Sequence, residues 1–356
     1  MVPTDTEIPR LDDKPLRPTS SGLLRLDANE GPLPPEELLD SLSQIDRDLV
    51  RRYPDASVLE SKLAARLGVD PAQVLVGAGG DGTIASFAGA LLGPTASPTP
   101  VPFVCTTPTF QMIPANARLF GAEVTEVPWF DEPFPVDVFC EAASAPGACA
   151  AIVSPNNPTG ATVEWSDVER VADTLDSGAL LLDLAYEEFA EQDLASPALR
   201  VPNVIQLRTL SKAYGLAGLR VGYLVGSPEW IDRLRAVAPP YPCSSLSLIL
   251  AERAIGLDAV PDRLVLGAIA ERRDALRERL LAGGFEVPES DANFLCVRGP
   301  AANALYEGLR SEGVLVRRFS RRPDLEDCLR ITTPTSPDER ARLDAALDVV
   351  LPRIQS

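Results

Sequence analysis

The chain has 356 residues, 45% of them hydrophobic and 24% charged, enough for one large domain and a smaller one. No stretch approaches the roughly 20 uninterrupted apolar residues that span a bilayer, and a net charge of −18 with both signs interspersed argues against nucleic acid or another polyanion as partner. There is no histidine, which excludes Ser-His-Asp triads, histidine bases and histidine metal ligands at once.

Residues 1–7 are acidic and lack the apolar segment of a signal peptide, so a cytoplasmic protein is expected, with no membrane partner. Residues 1–22, rich in proline and charge, read as a loosely structured arm. From residue 74 short apolar runs alternate with longer amphipathic ones. Strands are predicted at 74–76, 102–105, 151–153, 180–182, 204–207 and 221–225, with helices at 83–92 and 163–175. This alternation predicts an α/β fold with a mainly parallel sheet covered on both faces. At Pro239-Pro240-Tyr241-Pro242 the texture changes. One long helix over 245–282 is predicted next, then strands at 294–297, 314–317 and 329–332 and a last helix from 337, forming a smaller α+β domain. The expected division is an arm plus part of the small domain over 1–48, a large domain over 49–238, and a small C-terminal domain over 239–356.

Cys105, Cys140, Cys149, Cys243, Cys296 and Cys328 form no C-x-x-C pair and mostly sit in apolar runs, which predicts buried reduced thiols and no metal site. Only three of the 33 basic residues are lysines: Lys14, Lys62 and Lys212. Arginine serves nearly everywhere as the generic cation but cannot deprotonate to a nucleophilic amine; lysine can. Lys212, set among small and apolar residues, therefore invites a chemical explanation.

Four motifs could carry chemistry. Gly77-Ala78-Gly79-Gly80-Asp81-Gly82 follows a strand and opens a helix. It matches the dinucleotide fingerprint, but no Asp or Glu lies between Asp81 and Glu123 to hold a ribose. What remains is a turn that either binds an anion at a helix N-terminus or is merely tight. Ser154-Pro155-Asn156-Asn157-Pro158-Thr159-Gly160 is a rigid turn offering two amides. Asp183 ends the apolar run Leu180-Leu181-Leu182 and needs a partner, structural or functional; Tyr186 lies three residues on. The segment from Arg208 to Arg220 brings hydroxyls at Thr209 and Ser211 beside Lys212 and ends in a glycine-rich stretch. Together these supply an amine nucleophile, an anion cradle, a carboxylate and an amide. A cofactor with an aldehyde, a phosphate and a basic ring nitrogen needs that inventory.

At this point the sequence resembles the fold type I, pyridoxal-phosphate-dependent aminotransferases, and within them the histidinol-phosphate aminotransferase branch. The resemblance runs from about Leu26 to Leu351 through Leu26-Asp27-Ala28-Asn29-Glu30, Arg52-Tyr53-Pro54-Asp55, Pro108-Thr109-Phe110, the turn at 154–160, Asp183-Leu184-Ala185-Tyr186, the segment 208–220, Ala292-Asn293-Phe294 and Cys328-Leu329-Arg330-Ile331-Thr332. It implies a mainly parallel seven-stranded sheet between helices in a large cofactor-binding domain, beside a smaller α+β domain.

It also implies roles. Lys212 would form the Schiff base and shuttle the proton; Asp183 would hold the ring nitrogen protonated, and Asn157 and Tyr186 would bond the ring hydroxyl. Gly80, Asp81, Thr209, Ser211 and Arg220 would hold the phosphate, with Tyr53 reaching it from a second subunit of a homodimer, and Phe110 would stack on the ring. Asn29, Asn157, Asn293, Arg317 and Arg330 would contact substrate, Arg330 through its carboxylate. The implied reaction moves an amino group from an amino acid or histidinol phosphate to a 2-oxo acid such as 2-oxoglutarate. A lyase, decarboxylase or cyclase of the same fold, and a non-catalytic cofactor-binding regulator, are the alternatives. Departures from the branch at Gly31, Gly82, Ile113, Leu184 and Pro334 leave the cofactor contacts in place and alter several positions around the substrate pocket.

Overall fold

The computed structural model describes residues 22–94, 96–257 and 261–355. The arm expected over 1–22 thus lies almost wholly outside the described residues. The strands in chain order are β1 (Leu24–Leu26), β2 (Val74–Gly77), β3 (Pro102–Thr107), β4 (Glu123–Pro128), β5 (Cys149–Val153), β6 (Leu180–Asp183), β7 (Val204–Thr209), β8 (Gly222–Val225), β9 (Phe294–Arg298), β10 (Val314–Arg318) and β11 (Cys328–Thr332). Seven of them form one sheet in the order β2-β8-β7-β6-β5-β3-β4, in which β8 alone runs against its neighbours. The mainly parallel α/β sheet expected from the sequence is the one observed.

The period of two along each strand divides the core. Leu75, Phe103, Leu181, Ile205 and Leu224 face one helical layer containing Ile84, Phe87, Ile113 and Leu234. Their neighbours Val104, Ile152, Leu180, Leu182 and Val204 face the opposite layer with Phe139, Val168 and Val171. Val74, Val76, Tyr223 and Val225 meet Leu59, Leu63, Leu248 and Ala251. Helix Ser245–Gly256, beyond the expected boundary at 238/239, thus shares a core with the large sheet. β4 escaped the sequence reading because it is an edge strand carrying Glu123 and Glu126 instead of an apolar run.

The second sheet has the order β1-β10-β11-β9. Helices Arg263–Ala282, Ala302–Ser311 and Pro337–Gln355 cover one face through Leu276, Leu305 and Leu347 against Leu26, Val297, Leu329 and Ile331. The same alternation turns Arg330 to the other face. The helix expected over 245–282 is in fact two, Ser245–Gly256 and Arg263–Ala282. Pro261 has no N–H to continue the first, and the Asp262 side chain caps the second by accepting from the Leu264 N–H. The helix expected over 83–92 begins at Gly79, so the glycine motif forms its first turn. All six cysteines are free and five are buried, as expected. No helix among the described residues is long and apolar enough to cross a membrane.

Candidate active site

Each large-sheet motif lies at the carboxyl end of a parallel strand or beside one, where open α/β sheets place their ligands. β5 runs into the Ser154–Gly160 turn, β6 ends at Asp183, β7 at Thr209 just before Lys212, and β3 leads to Phe110.

The Lys212 side chain is enclosed, and its Nζ donates to the Ala28 carbonyl at 3.0 Å and lies 5.6 Å from the Tyr186 ring centre. Burial, then repulsion from Arg330, pulls the amine down to about 7. It is therefore substantially neutral, and nucleophilic, near physiological pH. The segment after β1 passes over the Lys212 turn so closely that a Cβ at Gly31 would stand 1.6 Å from the Lys212 carbonyl oxygen. Only glycine fits there, which accounts physically for that departure from the branch.

Asp183 is fully enclosed, and burial pushes its carboxyl up to about 7. It accepts one bond, from the Ala185 N–H at 3.0 Å, and no cation among the described residues is within ion-pair reach. A buried carboxylate with spare acceptor positions suits a positively charged N–H from a ligand.

Tyr186 is buried, its ring edge-on to Phe294 at 5.1 Å. Its hydroxyl accepts from Asn29 Nδ2 at 3.0 Å and Asn157 Nδ2 at 3.4 Å, which leaves the phenol proton to donate to a ligand oxygen. Arg330 donates Nη1 to Asn157 Oδ1 at 2.6 Å and Nη2 to the Asp27 carbonyl at 2.9 Å, while its Nε is buried without a partner. Burial brings this guanidinium down to about 10, so it stays charged at neutral pH. Asn293 Nδ2 donates to the Asn29 and Glu30 carbonyls, and its Oδ1 is likewise unpartnered. Thr332 Oγ1 donates to Asn29 Oδ1 at 3.1 Å and accepts from the Asn29 N–H at 2.9 Å. Asn29, with a positive φ of 54°, is held through its backbone N–H and amide oxygen by Thr332, through its amide nitrogen by the Tyr186 hydroxyl and through its carbonyl by Asn293.

A second cluster adjoins the first. Thr209 Oγ1 lies 3.0 Å from Ser211 Oγ, and Arg220 Nη2 donates to Asp81 Oδ2 at 3.2 Å. A Cβ on Gly79 would approach Arg220 Nη2 to 2.7 Å, and one on Gly222 would stand 2.6 Å from the Gly79 carbonyl carbon. The glycines therefore let β8 and the helix start close on each other around the hydroxyls. Gly222→Ala is expected to cost about 1–3 kcal/mol through backbone displacement. A lower urea midpoint at unchanged slope would register it; an unshifted midpoint would show that this approach is not tight.

Of the residues expected from the sequence, Asn29, Asn157, Tyr186, Lys212, Asn293 and Arg330 are joined by direct contacts or one intermediary. Gly80, Asp81, Thr209, Ser211 and Arg220 form the adjoining cradle. Phe110 packs beside the Ile113 cluster. Arg317 is the cross-strand partner of Arg330, with its guanidinium 5.9 Å from the Phe319 ring. Tyr53 is 79% exposed and stacks on Tyr241 at 4.5 Å, outside this network. Sequence reasoning missed the Ala28 carbonyl, which has no side-chain signature, and Thr332 and Phe294, which lie inside motifs quoted only for their neighbours.

A mainly parallel sheet with a lysine amine pulled down to about 7 at one strand end and a buried carboxylate without an ion-pair partner among the described residues at the next defines a fold type I cofactor enzyme. The sequence model of aminotransferase class I and II matches residues 20–348, and the chain belongs to that family. A histidinol-phosphate aminotransferase 1 from Nostoc sp. is 34% identical over 338 residues, 94% of this chain and 93% of that one. A protein of the same name from Burkholderia lata is 36% identical over 94% of both chains. The crystal structure of histidinol-phosphate aminotransferase from Sinorhizobium meliloti in complex with pyridoxal-5'-phosphate superposes with a TM-score of 0.81 at 27% identity, covering 93% of this chain and 92% of that one.

Proposed function

We propose that this aminotransferase carries pyridoxal phosphate on Lys212 and moves the amino group of histidinol phosphate to a 2-oxo acid such as 2-oxoglutarate, in the cytoplasm. The observation that carries the reading is the pair Lys212 and Asp183, both enclosed and both driven to about 7 by burial. Each lacks an ion-pair partner among the described residues, and the cofactor's aldehyde and ring nitrogen would complete them. The names of the relatives support the substrate.

When bound, pyridoxal phosphate supplies a carbonyl that condenses with amines and a ring that accepts electrons from a bond broken at the substrate α-carbon. Asp183 would hold the ring nitrogen protonated, and Asn157 and Tyr186 would bond the ring hydroxyl. Gly80, Asp81, Thr209, Ser211 and Arg220 would hold the phosphate, and Phe110 would cover the ring. Lys212, substantially neutral near pH 7, would take the proton from the substrate α-carbon and return it. Arg330 would grip a substrate carboxylate with its fork, while Asn29, Asn293 and Arg317 would line the substrate side.

Histidinol phosphate added to holoenzyme is expected to bleach the absorbance of the lysine-bound cofactor, and 2-oxoglutarate to restore it. Carbon dioxide release from an amino acid without an acceptor would favour a decarboxylase instead.

The reading includes a homodimer in which Tyr53 reaches the cofactor phosphate of the other subunit. Leu33, Leu39, Val50, Tyr53, Tyr241 and Leu264 are large apolar side chains left exposed, which a second subunit could cover. The protein should sediment as a dimer, and Tyr53→Phe should weaken cofactor binding by about tenfold, the worth of one hydrogen bond. A monomer that retains full cofactor affinity would overturn this arrangement.

A further inference from the structure

Beside the described site lies an enclosed cluster of three charges that the reaction does not use. Arg208, the penultimate residue of β7, donates Nη1 to Glu187 Oε2 and Nη2 to Glu188 Oε1, each at 2.9 Å. All three side chains are at most 14% exposed. The other Glu187 oxygen accepts the backbone N–H groups of Leu194 at 3.0 Å and Ala195 at 2.5 Å, so this carboxylate is held from both sides. Tyr223 faces Arg208 across the β7–β8 register.

Stability alone does not account for such a cluster. Desolvating three charges is costly, and apolar side chains of similar volume commonly serve a fold as well or better. Its place in the chain is more telling. The ladder between β6 and β7 ends where the Leu184 N–H meets the Leu207 carbonyl. Beyond that bond β6 gives way to the segment bearing Tyr186, while β7 runs on, paired only with β8, through Arg208 to Thr209 and then to Ser211 and Lys212. Arg208 stands at the root of the second, and Glu187 and Glu188 directly follow Tyr186 on the first.

We propose that Arg208 is a positioning residue, whose guanidinium fork on Glu187 and Glu188 sets the Tyr186 segment against the Lys212 loop after the pairing of β6 with β7 has ended. A planar fork on two carboxylates fixes direction as well as distance, which one ammonium does not. The proposal rests on the reading of Lys212 and Tyr186 as cofactor contacts.

Arg208→Met alone would strand two buried carboxylates and compromise folding, so the decisive variant is Arg208→Met/Glu187→Gln/Glu188→Gln, which is neutral throughout. Arg208→Lys, which keeps the charge but not the fork, is the second. In holoenzyme of either folded variant, turnover per bound cofactor should fall by about 10- to 100-fold, as expected for misplaced reacting groups, with KM little changed. The pH midpoint of the cofactor absorbance should rise by about one unit, because a Tyr186 hydroxyl drawn off the ring oxygen no longer disfavours protonation nearby. Wild-type turnover per cofactor and an unmoved midpoint in the triple variant, or in Arg208→Lys if the triple variant does not fold, would overturn the proposal and leave the cluster a structural one. Parent protein that shows no lysine-bound cofactor absorbance would instead refute the underlying reading.

Discussion

Lys212→Ala is expected to reduce turnover by on the order of 10^4-fold or more, since it removes both the covalent anchor and the base that handles the α-proton. Among the described residues the Lys212 amine is the only lysine amine in the site, and burial has already brought it down to about 7. Arginine in its place could not substitute, because its guanidinium stays protonated. The purified variant should show no absorbance from lysine-bound cofactor, and an unchanged circular dichroism spectrum would attribute the loss to chemistry. Turnover within tenfold of the parent would sink the assignment of Lys212.

Asp183→Asn should act in opposite directions on cofactor-free and cofactor-bound protein. Burial raises the folded carboxyl to about 7, whereas the unfolded chain titrates near 3.9. Between those values the folded protein retains a proton that the unfolded chain has released, so stability falls as pH rises from about 4 to about 7. Above 7 the full penalty applies, at most about 4 kcal/mol by the same linkage. Asparagine does not ionise. Cofactor-free Asp183→Asn is therefore expected to exceed the parent in stability at pH 8 and to converge with it below pH 4. Lys212 contributes with the opposite slope, gaining stability as pH rises from about 7 to 10.5, but it is present in both proteins and largely cancels from the comparison. With cofactor bound, the same substitution takes away the partner of the ring nitrogen, and turnover should fall by about 10^2- to 10^3-fold. Urea midpoints at pH 4 and pH 8, measured with and without cofactor, separate the two effects. A parent that is the more stable cofactor-free protein at pH 8 would contradict the uncompensated burial of Asp183.

The site was legible in sequence wherever local chemistry is peculiar. Lys212 stood out because arginine replaces lysine nearly everywhere else, and Asp183 because a carboxylate closes an apolar run. The turn at Ser154–Gly160 and the glycine motif at 77–82 announced themselves through residues with restricted or permissive backbones. Arg330 came from the resemblance, and the strand period then explains it: Leu329 and Ile331 turn inward, so Arg330 turns toward the site. The contacts that hold these residues were not legible. The Ala28 carbonyl is a backbone atom separated by 184 positions from the lysine it meets, and Thr332 reaches Asn29 across 303. Gly31 read as a missing aromatic until the fold placed its Cα against the Lys212 carbonyl. The helix expected over 245–282 spans a break because the hydrophobic periodicity continues on both sides of Pro261 and Asp262.

The sequence by itself determined the class of fold, the strand ends that carry the chemistry and the identity of the amine, because periodicity, turn residues and side-chain reactivity are local properties. Only the tertiary structure decided the charge states of Lys212 and Asp183, the seating of Asn29 beneath Tyr186, and the Arg208 fork on Glu187 and Glu188. Those depend on how much water packing excludes and on which distant groups it brings within hydrogen-bond reach, and neither quantity exists until the two sheets are assembled.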